Sequence, residues 1–226
     1  MRIAILGTGM VGTELGRKLA AGNHQVMLGS RTHDNANAAE WVAANGPNAA
    51  QGTFTEAAAF GEVVLNSTNG AASLEALELA GREQLADKIL IDVANPLDFS
   101  KGFPPTLLVC NTNSLGEEIQ RTLPNVRVVK TLNTVNCRVM ANPALVPGDH
   151  SMFVCGNDAD AKQHVSEWLN EWFGWPRASI LDLGDISAAR ATEMYLPLWL
   201  RIMGAVGSAT FNFQLQRALV PAAVSQ

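Results

Sequence analysis

From the first residue, short apolar runs alternate with stretches whose apolar positions recur at helical spacing. The runs lie at 2–6, 25–28, 62–66, 89–93, 126–130, 151–155 and 178–182. Most are apolar on successive positions rather than alternate ones, as strands covered on both faces of a parallel sheet must be. Helices are predicted at 10–21, 35–45, 71–80, 114–123 and 158–173. Thr53 with Glu56, and Ser114 with Glu117, have capping-box spacing, in which a hydroxyl and a carboxylate satisfy free amides at a helix start. This alternation of strand and helix implies right-handed crossovers and a doubly wound sheet.

The pattern changes near Gly184. Residues 185–219 read as one or two helices with Pro197 as a kink or boundary, and no strand signal returns. The expected organisation is an α/β domain over 1–184, with a helical C-terminal segment, 185–226, packed on it. In that segment Leu196, Leu198, Trp199, Leu200, Ile202, Met203, Val206, Phe211 and Phe213 surround the helix instead of forming one stripe. One domain covers one face of a terminal helix, so the remaining apolar surface predicts a homodimer through these C-terminal helices. Folding back in cis about Pro197 is the alternative.

Composition narrows the function classes. With 226 residues, 47% of them hydrophobic, the chain can bury a sizeable core, which excludes general disorder. Lys and Arg number 16 against 21 Asp and Glu, a net charge of −5 with no basic run, so no nucleic acid is expected as a partner. The apolar stretch 195–213 is interrupted by Pro197, Arg201, Ser208 and Asn212, too often for a membrane span of about 20 residues. The apolar start at 1–6 runs into glycines and does not continue as a signal peptide. Cys110, Cys137 and Cys155 match neither a zinc site nor a Cys-x-x-Cys pair, and their apolar neighbours predict buried free thiols in a reducing, cytoplasmic setting. His24, His33, His150 and His164 lack metal-ligand spacing, so no metal is expected, and no Ser-His-Asp arrangement is visible.

Chemistry is written first after residue 6. The strand at 2–6 empties into Gly7-Thr8-Gly9-Met10-Val11-Gly12, and a helix follows at once. In this context Gly7 permits a tight turn, Gly9 admits a pyrophosphate to the backbone, and Gly12 lets helix and strand pack closely. Free amides at the helix N-terminus would hold the phosphates. An NAD site places Asp or Glu about 20 residues further on, whereas this chain has Gly29-Ser30-Arg31-Thr32. A ribose phosphate would meet the Arg31 guanidinium and the Ser30 and Thr32 hydroxyls, which favours NADP. Asn66-Ser67-Thr68-Asn69 and Asn95-Pro96 follow later strands. Ser67, Thr68 and Asn95 can line a crevice at the strand ends, or else serve as ordinary turn residues.

With these features in hand, the sequence resembles the NADP oxidoreductase family of deazaflavin (coenzyme F420)-dependent NADP reductases. It also resembles the cytosolic reductase domain of six-transmembrane ferric reductases. The likeness extends through Val129-Lys130-Thr131-Leu132-Asn133-Thr134-Val135, Phe153-Val154-Cys155-Gly156-Asn157-Asp158 and Asp182-Leu183-Gly184, then a helix bearing Ser187, Arg190 and Glu193. It implies a Rossmann-type fold, with Gly7, Thr8, Gly9, Met10 and Val11 around the pyrophosphate. Ser30, Arg31 and Thr32 would take the ribose phosphate, and Val135, Asn136 and Cys137 would bring backbone to the nicotinamide. The chain departs from the family in having Asn35-Ala36-Asn37 where a further basic residue is usual. It has Asn133-Thr134-Val135-Asn136 in place of a His-Thr-Ile-Pro-like stretch. Arg190 and Glu193 are expected to pair within their helix rather than to catalyse.

The reading that follows is an oxidoreductase passing hydride between NADP(H) and a small-molecule redox partner, a deazaflavin of the coenzyme F420 type or a flavin. Direct transfer between stacked rings requires no side-chain acid or base, in keeping with the lack of a catalytic constellation. The alternative is an NADP-binding sensor or regulatory protein without turnover, which would keep the same loop. A dehydrogenase of small alcohols or imines would want a positioned Lys, His or Tyr, and the lone Tyr195 lies within a helical stretch.

Overall fold

The computed structural model describes residues 1–218. Its strands are β1 (Arg2–Leu6), β2 (Gln25–Ser30), β3 (Ala49–Thr53), β4 (Val63–Asn66), β5 (Ile89–Asp92), β6 (Leu97–Asp98), β7 (Thr106–Leu107), β8 (Arg127–Thr131), β9 (Met152–Cys155) and β10 (Ile180–Asp182). Between them run α1 (Met10–Ala21), α2 (Ala36–Asn45), α3 (Phe54–Phe60), α4 (Ser73–Ala80), α5 (Arg82–Leu85), α6 (Leu115–Thr122), α7 (Cys137–Ala141) and α8 (Ala159–Trp168). The segment after β10 holds α9 (Ala189–Met194) and α10 (Leu196–Val206).

The main sheet has the order β10-β9-β8-β5-β4-β1-β2-β3, and β6 with β7 forms a separate hairpin. The chain starts in the middle of the sheet and winds outward on both sides, so the order reverses beside β1. Alternate residues of β1 serve the two faces. Ile3 and Ile5 join the core beneath α1 and α2, whereas Ala4 and Leu6 join the core beneath α3 and α4. That double burial explains why the strand is apolar at successive positions.

The wholly parallel sheet expected from the sequence is corrected at one seam. β9 runs antiparallel to β8, with Lys130 opposite Cys155, while β9 and β10 pair parallel. Strands buried on both faces read alike in either direction, so the pattern carries no sign of the reversal. The Thr53 capping box is complete. The one expected at Ser114 is half made: Ser114 Oγ accepts from the Glu117 N–H, but the Glu117 carboxylate binds Ser114 Oγ and Arg190. The helix expected over 158–173 is α-helical to Trp168 and widens into a π-helical turn at Leu169–Phe173.

Beyond β10, Pro197 lies in the first turn of α10, where its missing N–H leaves no helical bond unmade. The helical stretch expected as far as 219 stops at Val206; from Gly207 to residue 218 the chain is non-helical and returns to the sheet. The Ser151 N–H donates to the Phe213 carbonyl (2.8 Å), and Asn212 Nδ2 donates to the Ser151 carbonyl (2.8 Å). Phe211 stacks on Trp199 at 5.3 Å. Leu219, the end of the predicted helical stretch, lies outside the described residues, as do 220–226. Among the described residues no helix is long and apolar enough to cross a membrane.

Candidate functional site

A crevice follows the carboxyl ends of β1, β2, β4, β5 and β8, where the strand order reverses and open α/β sheets place their ligands. It comprises two pockets that share Ser67, Thr68 and Asn69. The first, about 470 Å³, is lined by Gly7, Thr8, Gly9, Ser30, Arg31 and Thr32 among others. Gly7 has φ +116°, and a Cβ there would stand 2.8 Å from the Ser67 carbonyl oxygen. A Cβ on Gly12 would collide with the Gly7 carbonyl, so the loop and α1 pack at glycine distance. Nothing lies within 4 Å of the place a Gly9 side chain would occupy. No side chain caps α1 and no acidic residue sits in its first turn, which leaves its amides and dipole free for an anion. The donor set and the open backbone therefore fit a pyrophosphate.

Arg31 stands at the mouth of this pocket, 64% exposed, and among the described residues its ion pair is with Glu75 at 3.8 Å. Thr32 is exposed beside it, while Ser30 is buried and donates its hydroxyl proton to the Thr32 carbonyl. Ser30 thus fixes the turn that presents Arg31. Asn35 lines the same pocket but caps α2, accepting from the Ala38 N–H.

The second pocket, about 360 Å³, adjoins the first and is lined mainly by uncharged side chains. Met10, Val11, Val135 and Cys137 form one part of it, Leu97 and Phe99 another, and Leu196 and Trp199 of the C-terminal helices a third. Its two loops are tied together: Asn95 Nδ2 donates to the Asn133 carbonyl, and Asn133 Nδ2 donates to Asn95 Oδ1. Leu132, just before this loop, takes φ +63°, a left-handed conformation that costs a branched residue about 1–2 kcal/mol. Asn136 caps α7 through the Arg138 N–H. Burial, reinforced by Glu14, pushes the Cys137 thiol above its ordinary value, so it is no thiolate nucleophile. Ser67 Oγ donates to the Leu6 carbonyl, and Thr68 Oγ1 donates to Asn66 Oδ1. The structure thus brings every sequence-predicted site residue to one crevice, with several side chains engaged in holding its walls.

Beneath the crevice lies a polar network that sequence reasoning missed. Lys130 Nζ, fully buried, contacts Asp92 Oδ2 and Glu193 Oε1 at 2.8 Å each and donates to the Ala94 carbonyl. Glu193 also accepts the Leu115 and Gly116 N–H groups at the start of α6, and Asp92 accepts from Asn66 Nδ2. Burial alone would lower the Lys130 ammonium, but Asp92 and Glu193 outweigh it and raise it, so it stays charged. The signal was present: a lysine and an aspartate inside otherwise apolar strands need buried partners. Spacing could not say which.

Other expectations are corrected here. Arg190 and Glu193 do not pair with each other; Arg190 binds Glu117 on α6, and Glu193 turns inward to Lys130. Two packed elements compete for these side chains and win over the three-residue spacing. Cys137 and Cys155 are buried free thiols, but Cys110 is exposed, because its loop crosses the surface despite apolar neighbours. Tyr195 sits at the joint of α9 and α10, and burial raises its phenol to about 12, which keeps it protonated and makes it a poor base at neutral pH.

Comparison with known proteins places the chain in a family. The model of the family described as NADP oxidoreductase, coenzyme F420-dependent, matches residues 2–96. The F420-dependent NADP reductase of Methanocaldococcus jannaschii is 31% identical over 207 residues, 88% of this chain and 90% of that protein. The metalloreductase STEAP3 of Rattus norvegicus is 29% identical over 88% of this chain, which spans only 38% of that longer protein. A crystal structure from Arthrobacter sp. FB24, provisionally described as an F420-dependent NADP-reductase, superposes with a TM-score of 0.90. It is 48% identical, covering 96% of this chain and all of that one. The chain belongs to the coenzyme F420-dependent NADP oxidoreductase family.

Proposed function

We propose that this NADP(H)-dependent oxidoreductase exchanges hydride with a deazaflavin of the coenzyme F420 type or a flavin. The observation that carries the reading is the pair of adjoining pockets, one built for a phosphorylated dinucleotide and one uncharged and ring-sized. When bound, NADPH supplies the hydride. Gly7, Thr8, Gly9, Met10 and Val11 hold the pyrophosphate, and Arg31 with Thr32 meets the ribose phosphate on the turn that Ser30 fixes. Ser67 and Thr68 lie between the halves of the crevice, and Asn95 lines the ring half. Val135, Asn136 and Cys137 present backbone to the nicotinamide, and the apolar lining keeps water from the two reacting faces.

The helical segment from 185 onward serves as a wall of the site packed on the 1–184 domain, an assignment supported by the Glu193–Lys130 contact. Leu198, Val206 and Phe213 remain exposed on it, an apolar surface suited to a second copy in a two-fold dimer. The three free thiols fit a reducing, cytoplasmic setting. The test is NADPH oxidation by the purified protein offered a deazaflavin, free flavins and ferric chelates in parallel. Turnover of a ring acceptor above the enzyme-free rate is expected. Tight NADPH binding without turnover of any acceptor would overturn the reading in favour of a sensor.

A further inference from the structure

Three walls of the uncharged pocket come from separate parts of the chain, and one buried ammonium ties them together. The loop after β5 brings Asn95, Leu97 and Phe99, the loop after β8 brings residues 133–137, and α10 brings Leu196 and Trp199. An ammonium has three protons to donate. Those of Lys130 go to Asp92 Oδ2 at the end of β5, to the Ala94 carbonyl, and to Glu193 Oε1 near the end of α9. Each partner sits just ahead of the wall it serves: Asp92 and Ala94 before Asn95, Glu193 before Leu196, and Lys130 itself before Asn133.

The grip is directional. Asp92 Oδ1 accepts the Ala94 N–H at 3.2 Å, so Ala94 is held through both its N–H and its carbonyl. The same oxygen accepts Asn66 Nδ2 at 2.8 Å, and Asn66 Oδ1 accepts the Thr68 hydroxyl at 2.7 Å. The chain of bonds thereby reaches a residue that lines both halves of the crevice. Buried ion pairs add little net stability over apolar packing of the same volume. What they add is direction, since each bond has a narrow range of length and angle.

We propose that Lys130 is a positioning residue for the hydride transfer, its ammonium clamping the loop after β5, the loop after β8 and the α9–α10 segment at a fixed separation. Lys130 does not line the pocket; it lies wholly buried beneath it and acts through the backbones that it holds. This role rests on the hydride transfer proposed above and predicts a split between binding and rate. Dinucleotide affinity is assigned to the glycine loop and Arg31, outside the clamp, whereas the rate depends on how the walls are held.

Lys130→Met removes the ammonium, and Glu193→Gln keeps the shape of its partner without the charge. Leu85→Ala opens a cavity beneath α5, which leads into the amino end of β5, and is the control for lost stability alone. Thermal melting, hydrogen exchange by mass spectrometry, NADP titration and single-turnover oxidation of NADPH by coenzyme F420 are compared across the folded variants. In both clamp variants exchange is expected to rise together in residues 94–99, 132–137 and 189–206. The single-turnover rate is expected to fall about tenfold or more, with the NADP Kd held within about twofold. Leu85→Ala is expected to melt earlier and keep its rate within about twofold. Glu193→Gln decides alone where Lys130→Met does not fold. An unchanged rate, or exchange raised in only one of the three segments, overturns the clamp. So does a rate loss that the control reproduces, which would reduce the network to general stability. A wild-type protein that reduces no deazaflavin or flavin refutes the underlying hydride transfer, and the positioning role falls with it; exchange still reads whether the three walls are coupled.

Discussion

The proposed cofactor choice turns on one side chain, Arg31. Its guanidinium is mostly exposed and its contact with Glu75 is long, so little holds it back from an incoming phosphate. Arg31→Asp is expected to weaken NADP binding about tenfold or more, since charge-assisted bonds contribute roughly 1.5–3 kcal/mol, and to shift preference toward NAD. Titrations of both dinucleotides check this; unchanged affinities would remove Arg31 from the site. Glu117 carries a pH signature. The Arg190 guanidinium beside it, opposed by partial burial and helped by Ser114, holds its carboxyl below the ordinary glutamate value. The stability it contributes is therefore present above that ordinary value and is lost as pH falls through the lowered one. Denaturant midpoints measured against pH should show a shallower acid limb in Glu117→Gln than in wild type. Glycine loop and Arg31 were legible in the sequence because each acts within a few residues of chain. The tie between Arg190 and Glu117 spans 73 positions and was not.

Elements were legible where burial writes a pattern. The five central strands are buried and mostly apolar, and the cap at Thr53 is a local signal. β3 escaped notice because Ala-Ala-Gln-Gly-Thr has no apolar run; it is an edge strand held by its backbone ladder to β2. The docking of α9 was equally hidden, since it depends on Lys130, Asp92 and Glu193 meeting from three separate elements. Lys130→Met would leave two buried carboxylates without their cation, and breaking a buried pair in this way costs about 3–5 kcal/mol. Urea unfolding should show a loss of that order, because the same network joins β5, β8, α6 and α9. A loss no larger than that of an exposed lysine would mean the carboxylates are neutralised in some other way.

For the whole molecule, the proposed dimer and the site would share the C-terminal segment. Trp199 faces the ring pocket while Leu198, its neighbour, is 56% exposed on the same helix. Leu198→Glu should convert a dimer to monomer in sedimentation at micromolar concentration without loss of fold; a wild-type monomer would contradict the dimer outright. Among the described residues that line the two pockets no acid or base is placed for proton transfer, in keeping with the proposed direct passage of hydride between two rings. Isotope transfer tests that most directly, because the reacting position of a deazaflavin is a carbon that retains what it receives. NADPH carrying two deuteriums at its reactive carbon should give reduced deazaflavin bearing one label in stoichiometric yield. Label released to solvent, or no reduction above the enzyme-free rate, would contradict direct transfer.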